Sequence, residues 1–367
     1  MARLLSEIEI AEPLLPVAAD PAWEAEMLSR GGRPNNVDLR MSPVPWLREY
    51  CFAARTYFYN VAEMPERLFP MTAMVVAQEN ACRYCYGLNR AVLKISGYSD
   101  SFIDGIEREV RLAELDERES AVLAFCRRLA RARPRPPRAE ADALIALGYT
   151  PLAVAEIAAC VAGSCFYNRV ITMTACPPQD DVEAAGRSPL DILKGITAAF
   201  LQSIAARRQI TRQIPSLPAV ALRDGPFGAV LVGVAGLPAA ASIKAAVDGV
   251  LASTVLSPFA KGLIFAVVAR ALGSPICESE ARRLLLSEGM SDGEVDQALA
   301  TLQSARLPAA EQGLLVWARH TVHYESSDIQ RKTRALAAEL GNRVLLEAVG
   351  TAALANGLAR LAMLQES

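Results

Sequence analysis

Two cysteines, Cys82 and Cys85, stand three residues apart in Gln78–Arg90 (QENACRYCYGLNR), the only Cys-x-x-C in the chain. At a helix start this spacing puts both sulfurs on one face, close enough for a disulfide. A helix N-terminus carries partial positive charge and favours the thiolate. The chemistry of such a pair is thiolate attack on a peroxide or a disulfide, followed by capture of the sulfenic acid by the second thiol. Half a zinc site is the competing reading, and it needs two more ligands. No second Cys-x-x-C exists, and the only histidines, His320 and His323, stand far along the chain on an expected outward face. The sequence therefore implies no metal and no cofactor. A purely structural pair is the third reading.

Glu79 lies three residues before Cys82. On a continuous helix it shares a face with the pair, where a carboxylate accepts a thiol proton. Its other reading is a cap or a salt bridge, with Arg83 as partner. Tyr84, Tyr86 and Asn89 offer hydrogen bonds that serve packing or capping equally well. Cys165, in GSCFYNR, is a third thiol within possible reach or a core residue. Of the eight cysteines, Cys51, Cys126, Cys160 and Cys176 sit in apolar stretches as small core residues.

The elements that must position these groups are helical. Hydrophobic residues make up 52% of the 367 positions and aromatics only 6%, and the apolar content is largely Ala, Leu and Val. That balance favours helix over strand, so the fold class is all-α. Two domains, each able to bury a core, suit the length. A net charge of −2 gives no footprint for nucleic acid, and Arg133–Arg138 (RPRPPR) is a Pro-broken loop. The N-terminus has acids early and no long apolar core, unlike a signal peptide. Pro226–Ile243 is Gly- and Pro-interrupted, a buried segment and not a membrane span. The expectation is a cytoplasmic protein without membrane contact.

The periodicity predicts an extended arm over 1–40, with turns at Pro21 and Pro34-Asn35-Asn36. Helix begins near Pro45 through Leu47, Cys51, Ala54 and Phe58. After breaks at Pro65 and Pro70, a short apolar helix covers Met71–Asn80, and Tyr86–Ser96 continues as helix to a stop at Gly97. Ser99 caps the next helix. Another covers Asp116–Arg131, with Ala121, Val122, Phe125 and Leu129 inward and Arg127, Arg128 and Arg131 outward. A helix over Ala139–Leu147 stops at Gly148, and Pro151–Thr174 closes the unit with Pro in its first turn. Residues 179–226 form a linker with one helix opening at Ser188-Pro189.

A second unit then repeats the first. At an offset of 192, Gly97 meets Gly289, Ser99-Asp100 meets Ser291-Asp292, Glu119 meets Glu311 and Arg127 meets Arg319. At 191, Glu156 meets Glu347 and Arg169 meets Arg360. The pattern is a tandem repeat of one helical domain, 41–178 and 227–367, as a fused pseudo-dimer. Cys85 meets Cys277, but Cys82 meets Ser274, Glu79 meets Ala271 and Asn89 meets Ala281. The second copy has lost the pair.

The helical unit, the run ACRYCYGLNRAVLKISGYS and the closing helix with Phe166-Tyr167-Asn168-Arg169 resemble the alkylhydroperoxidase D-like (AhpD-like) / carboxymuconolactone decarboxylase superfamily. The likeness covers the first repeat well and the second more weakly. It implies a peroxidase in which Cys85 attacks the peroxide and Cys82 resolves it, supplied by a thiol reductant protein or a small dithiol, in a homo-oligomer built on helical faces. The family relays protons through a Glu and a His. Here those positions hold Pro70 and Asn89, and neither side chain moves a proton near neutrality. A lyase of the carboxymuconolactone decarboxylase kind and a non-catalytic redox-sensing module are the alternatives on the same scaffold.

Overall fold

The computed structural model describes residues 4–29, 34–57, 61–109, 113–136, 138–178, 183 and 216–366. Among these residues all regular structure is helical. In chain order the helices are α1 (Pro21–Ser29), α2 (Asn36–Arg40), α3 (Pro45–Tyr57), α4 (Leu68–Glu79), α5 (Arg83–Ile95), α6 (Asp100–Arg108), α7 (Glu117–Arg131), α8 (Arg138–Ala146) and α9 (Pro151–Met173). There follow α10 (Ala219–Leu222), α11 (Gly228–Leu231), α12 (Pro238–Ala252), α13 (Pro258–Ala271), α14 (Pro275–Ser287), α15 (Asp292–Thr301), α16 (Gly313–His320), α17 (Ser326–Leu340) and α18 (Asn342–Ala362). The all-α expectation holds. Phe58, Val110 at the end of the helix expected after Ser99, and the helix expected from Ser188 lie outside the described residues.

Local chemistry sets many of the boundaries. Ser99 Oγ accepts from Phe102 N–H, Thr150 Oγ1 from Ala153 N–H and Asp116 Oδ1 from Glu119 N–H, so α6, α9 and α7 start at side-chain caps. Pro70 does not break α4. It sits in its first turn, where the missing N–H has no intrahelical partner to lose.

The arm differs from the expected extended segment. Asp20 caps α1 through Trp23 N–H, and Asn35 caps α2 through Val37 and Asp38 N–H, so two short helices form before Pro45. The stretch before them is laid on the body: Leu14 N–H donates to Thr174 O at 3.0 Å, Arg334 Nη2 to Glu12 O at 2.8 Å, and Arg40 to Leu15 O.

The axis of the molecule is the pair α9 and α18, the most extensive helix contact. Both are long and apolar enough to cross a membrane, yet 94% of the most apolar window of each is buried inside the chain. They are apolar all round because other helices cover them on every side. Gly357 permits their close approach, since a Cβ there would stand 3.1 Å from Ala162 O. The main apolar core is contiguous from the N-terminal helices to α18, and Trp23, Met27 and Phe52 form a small separate cluster.

Two buried arginines tie the halves in a reciprocal way. Arg169 on α9 donates to Thr321 O and Val322 O, both at 3.0 Å, at the end of α16. Arg360 on α18 donates to Ala130 O at 2.9 Å, near the end of α7. Each cation meets the negative end of a helix from the other half, which offsets the cost of its burial.

Candidate functional site

The Cys82–Cys85 pair lies where α4 turns into α5. Helix α4 ends at Glu79, Ala81 takes a left-handed φ of 47°, and Cys82 becomes the N-cap of α5. Left-handed backbone costs a non-glycine residue about 1 kcal/mol. The turn is held on both sides: Cys82 N–H donates to Ala77 O at 2.9 Å, and Ser326 Oγ, from the second half, donates to Ala81 O at 2.8 Å.

Both sulfurs are interior. Cys82 is 0% exposed and Cys85 4%, and both are free thiols in this structure. Burial works to raise the Cys82 pKa. The Cys85 Sγ–H, the N–H groups of Cys85 and Tyr84 and the Thr172 hydroxyl oppose it, and the net result is a thiol below its ordinary range. No well-formed cap hydrogen bond reaches this sulfur, so the two amides act on it as aimed dipoles. Cys85 goes the other way. Burial, and then its position as donor to Cys82, push it well above the ordinary value. The lower of the two pKa values thus falls on Cys82 and the higher on Cys85, opposite to the polarity that the resemblance implies. The pH dependence of alkylation checks this. Iodoacetamide labelling of Cys82, read by peptide mapping, should rise with a midpoint below that of free cysteine; a midpoint at or above it would reverse the assignment.

Glu79 turns away from the pair. Its carboxylate accepts from Arg127 Nη1 at 3.1 Å and from Arg131 Nε at 3.0 Å and Nη2 at 2.8 Å. The expectation of a shared face required a continuous helix, and the left-handed residue at Ala81 rotates α5 away from α4. Arg127 is consequently not on an outward face: it also donates to Gln78 Oε1 and Ile106 O. Arg83, the partner expected for Glu79, instead pairs bidentately with Glu183, at 2.5 and 2.9 Å. Asn89 is turned back on its own helix, donating from Nδ2 to Cys85 O at 2.7 Å. Tyr86 lies against Glu107, and burial followed by that carboxylate raises its pKa.

Cys165 bonds elsewhere, accepting from Asn80 Nδ2 at 3.5 Å. The thiols whose charge reaches Cys85 are Cys82, Cys176 and Cys51. Cys176 shares a contact of 3.2 Å with Thr174 Oγ1, and burial pushes it up to about 11. In the second half Ser274 Oγ caps Cys277 N–H, and burial pushes the Cys277 thiol up to about 12. Among the described residues no group of three His, Cys, Asp or Glu could hold a metal ion.

Near the turn is a small, partly open cavity of about 20 Å³ lined by Ala81, Tyr84, Thr172, Ala175 and Cys176, with Ile8–Ala11 of the arm as one wall; neither Cys82 nor Cys85 lines it. The buried Thr172 hydroxyl faces the Cys82 sulfur and the Tyr324 hydroxyl. Sequence reasoning did not single out Thr172, Ser326 or the wall at Ile8. They reach the site by tertiary packing and carry no local signal.

No family model, no curated protein and no solved structure matches this chain.

Proposed function

We propose that the protein is a thiol-dependent oxidoreductase that reduces a peroxide through Cys82 and Cys85, with Cys82 as the attacking thiolate. The observation that carries this is the placing of two free thiols at one helix start, Cys82 as the N-cap of α5 and Cys85 in its first turn; the Cys85 Sγ–H and the amides of α5 favour the charged form at Cys82, and burial disfavours it at Cys85. The Cys82 thiolate attacks one peroxide oxygen, an S–O bond forms, and the O–O bond breaks. The departing oxyanion takes the proton of Cys85. The Cys85 thiolate then attacks the Cys82 sulfenic sulfur, closing the disulfide and releasing hydroxide. A dithiol reductant, which is itself oxidised to a disulfide, returns the pair to its starting state. Cys85 supplies the proton that Pro70 and Asn89 cannot.

The resemblance to the AhpD-like superfamily would exchange the two roles, and the reading here departs from it on that point. The tandem repeat of such a unit gains support from the helix boundaries. Helix α5 begins at Arg83 and α14 at Pro275, while α6 begins at Asp100 and α15 at Asp292, both 192 residues apart. The reciprocal arginines, Arg169 and Arg360, fit the same symmetry.

Titration of the fully reduced protein with hydrogen peroxide tests the function. Each equivalent should remove two of the free thiols and give a Cys82–Cys85 disulfide by peptide mapping. Retention of all the thiols would end the proposal. Full burial of both sulfurs favours a second reading, a sensor that oxidises once and is not turned over; disulfide formation without steady-state peroxide consumption on adding a dithiol would select it.

A further inference from the structure

The connection between α16 and α17, residues 321–325, is held against the α4–α5 turn at its two ends. Arg169 donates to Thr321 O and Val322 O, and its guanidinium stands 5.6 Å from the centre of the Tyr324 ring. Ser326 Oγ, at the start of α17, donates to Ala81 O. Between these grips the Tyr324 hydroxyl meets the Thr172 hydroxyl of α9, which also faces the Cys82 sulfur. Both oxygens are buried, and among the described residues no backbone carbonyl accepts from either. One hydroxyl thus stands between a phenol and a thiol.

Elementary acidity gives the direction of the hydrogen bonds. The Thr172 hydroxyl has one hydrogen and can give it to only one neighbour. A thiolate is the stronger acceptor, because charge on the acceptor roughly doubles the strength of the bond. Burial pushes the Tyr324 phenol up to about 12, so it keeps its proton near neutrality and has it to donate. Its acceptor is Thr172 Oγ1, whose lone pairs are open once its hydrogen is turned to sulfur. Chained hydroxyls polarise one another, so the outer bond strengthens the inner one.

The α13–α14 junction, which lacks the thiol pair, is gripped in the same way. Arg360 donates to Ala130 O, and Arg135 Nη1 to Gly273 O at 2.6 Å. Gly273 is left-handed with φ of 63°, and the N-cap ψ is 96° at Ser274 against 98° at Cys82. At the offsets of 191 and 192, Arg169 meets Arg360, Ala130 meets Thr321, Arg135 meets Ser326 and Ala81 meets Gly273. The residues that meet Cys82, Thr172 and Tyr324 are Ser274, Met363 and Arg133, which cannot build the same hydroxyl chain. The grips on the backbone are matched in both halves, and the two hydroxyls stand only beside the thiol.

We propose that Tyr324, from the second half, is a positioning residue for the Cys82 thiolate: its hydroxyl donates to Thr172 Oγ1 and so turns the Thr172 hydrogen onto the Cys82 sulfur. The inference rests on the reading of Cys82 as the attacking thiolate. The titratable groups that interact with Cys82 are Cys85 from α5, Cys176 just past α9 and Tyr324 itself, and the cation behind Tyr324 is Arg169. Substitutions at Thr172 or Tyr324 remove neither thiol.

Titration of Cys82 in the full, reduced chain tests this. The ultraviolet absorbance of the thiolate, taken as the difference between each protein and the same protein carrying Cys82→Ser, gives the midpoint without a reagent entering the interior. Thr172→Val should raise the midpoint by about one to two pH units, the scale of one hydrogen bond to a charged acceptor, and Thr172→Ser should restore most of it. Tyr324→Phe keeps the ring against Arg169 and should raise the midpoint by a smaller amount, about half a pH unit. Added to Thr172→Val, Tyr324→Phe should change nothing further, because its path runs through Thr172. A Tyr324→Phe midpoint at or below that of the parent, or an equal rise with and without Thr172, would overturn the inference while leaving Cys82 as the attacking thiolate. A parent midpoint at or above that of free cysteine would overturn both.

Discussion

A Cys82→Ser protein is expected to lose peroxide turnover by at least about three orders of magnitude, the scale reached when a catalytic nucleophile is removed. Cys85→Ser should behave differently. With Cys82 intact, the first oxidation still occurs, and the protein stalls at the Cys82 sulfenic acid for want of a resolving thiol. Dimedone should label Cys82 stoichiometrically in that variant and label nothing in Cys82→Ser. The contrast is diagnostic because the resemblance to the AhpD-like superfamily implies the mirror image. If dimedone instead marks Cys85 in a Cys82→Ser protein, the polarity drawn from the α5 N-terminus is wrong although the chemistry survives. The prediction depends on how the charge divides. Cys82 sits at the amide end of α5 and receives the Cys85 proton as a hydrogen bond, whereas Cys85 has no such donor set.

Arg169→Leu is expected to destabilise the whole chain by about 3–5 kcal/mol. The change strands Thr321 O, Val322 O and Asn80 Oδ1, each buried and costing about 1–3 kcal/mol when unpaired. Chemical denaturation should show a lower midpoint with unchanged slope. Arg169→Lys should recover only part of the loss, because one ammonium cannot span acceptors on three different residues as the planar fork does. A shift below about 1 kcal/mol would mean that water replaces the guanidinium at little cost. Asn80 gives the substitution a second readout. It is the last residue before the left-handed Ala81, so Arg169→Leu should also slow oxidation of the pair.

Local signals in the sequence are accurate where side chains cap their own helices. Ser99, Asp116 and Thr150 begin helices as their types and positions imply, and Gly97 ends α5 with φ of 92°. The arm is legible in part. Pro21 and Asn35 mark turns by residue type, but a turn residue and a helix start share the same chemistry, and the segments beyond them are just long enough to coil into α1 and α2. Glu79 illustrates the limit. Its distance from Cys82 is plain in the sequence, but its direction depends on one residue, Ala81, whose alanine side chain gives no sign of a left-handed backbone. The placement of Arg127 is hidden for the same reason. Thr172 lies in a helix apolar on every side, so nothing in its neighbourhood marks a hydroxyl that faces a sulfur.

The reach of Arg169 from α9 to the end of α16, and of Arg360 from α18 to α7, bears on inheritance as well as on folding. The second half carries no Cys-x-x-C pair, and a segment without chemistry of its own is ordinarily free to drift or be lost. Here it supplies Thr321 O and Val322 O to Arg169 and Ser326 Oγ to the carbonyl beneath Cys82. Deleting it would uncover one long apolar helix and unseat the turn that presents the sulfur. Loss-of-function alleles should therefore fall in both halves, and those at Thr321 or Ser326 would pass for active-site lesions in a screen that scored only redox activity.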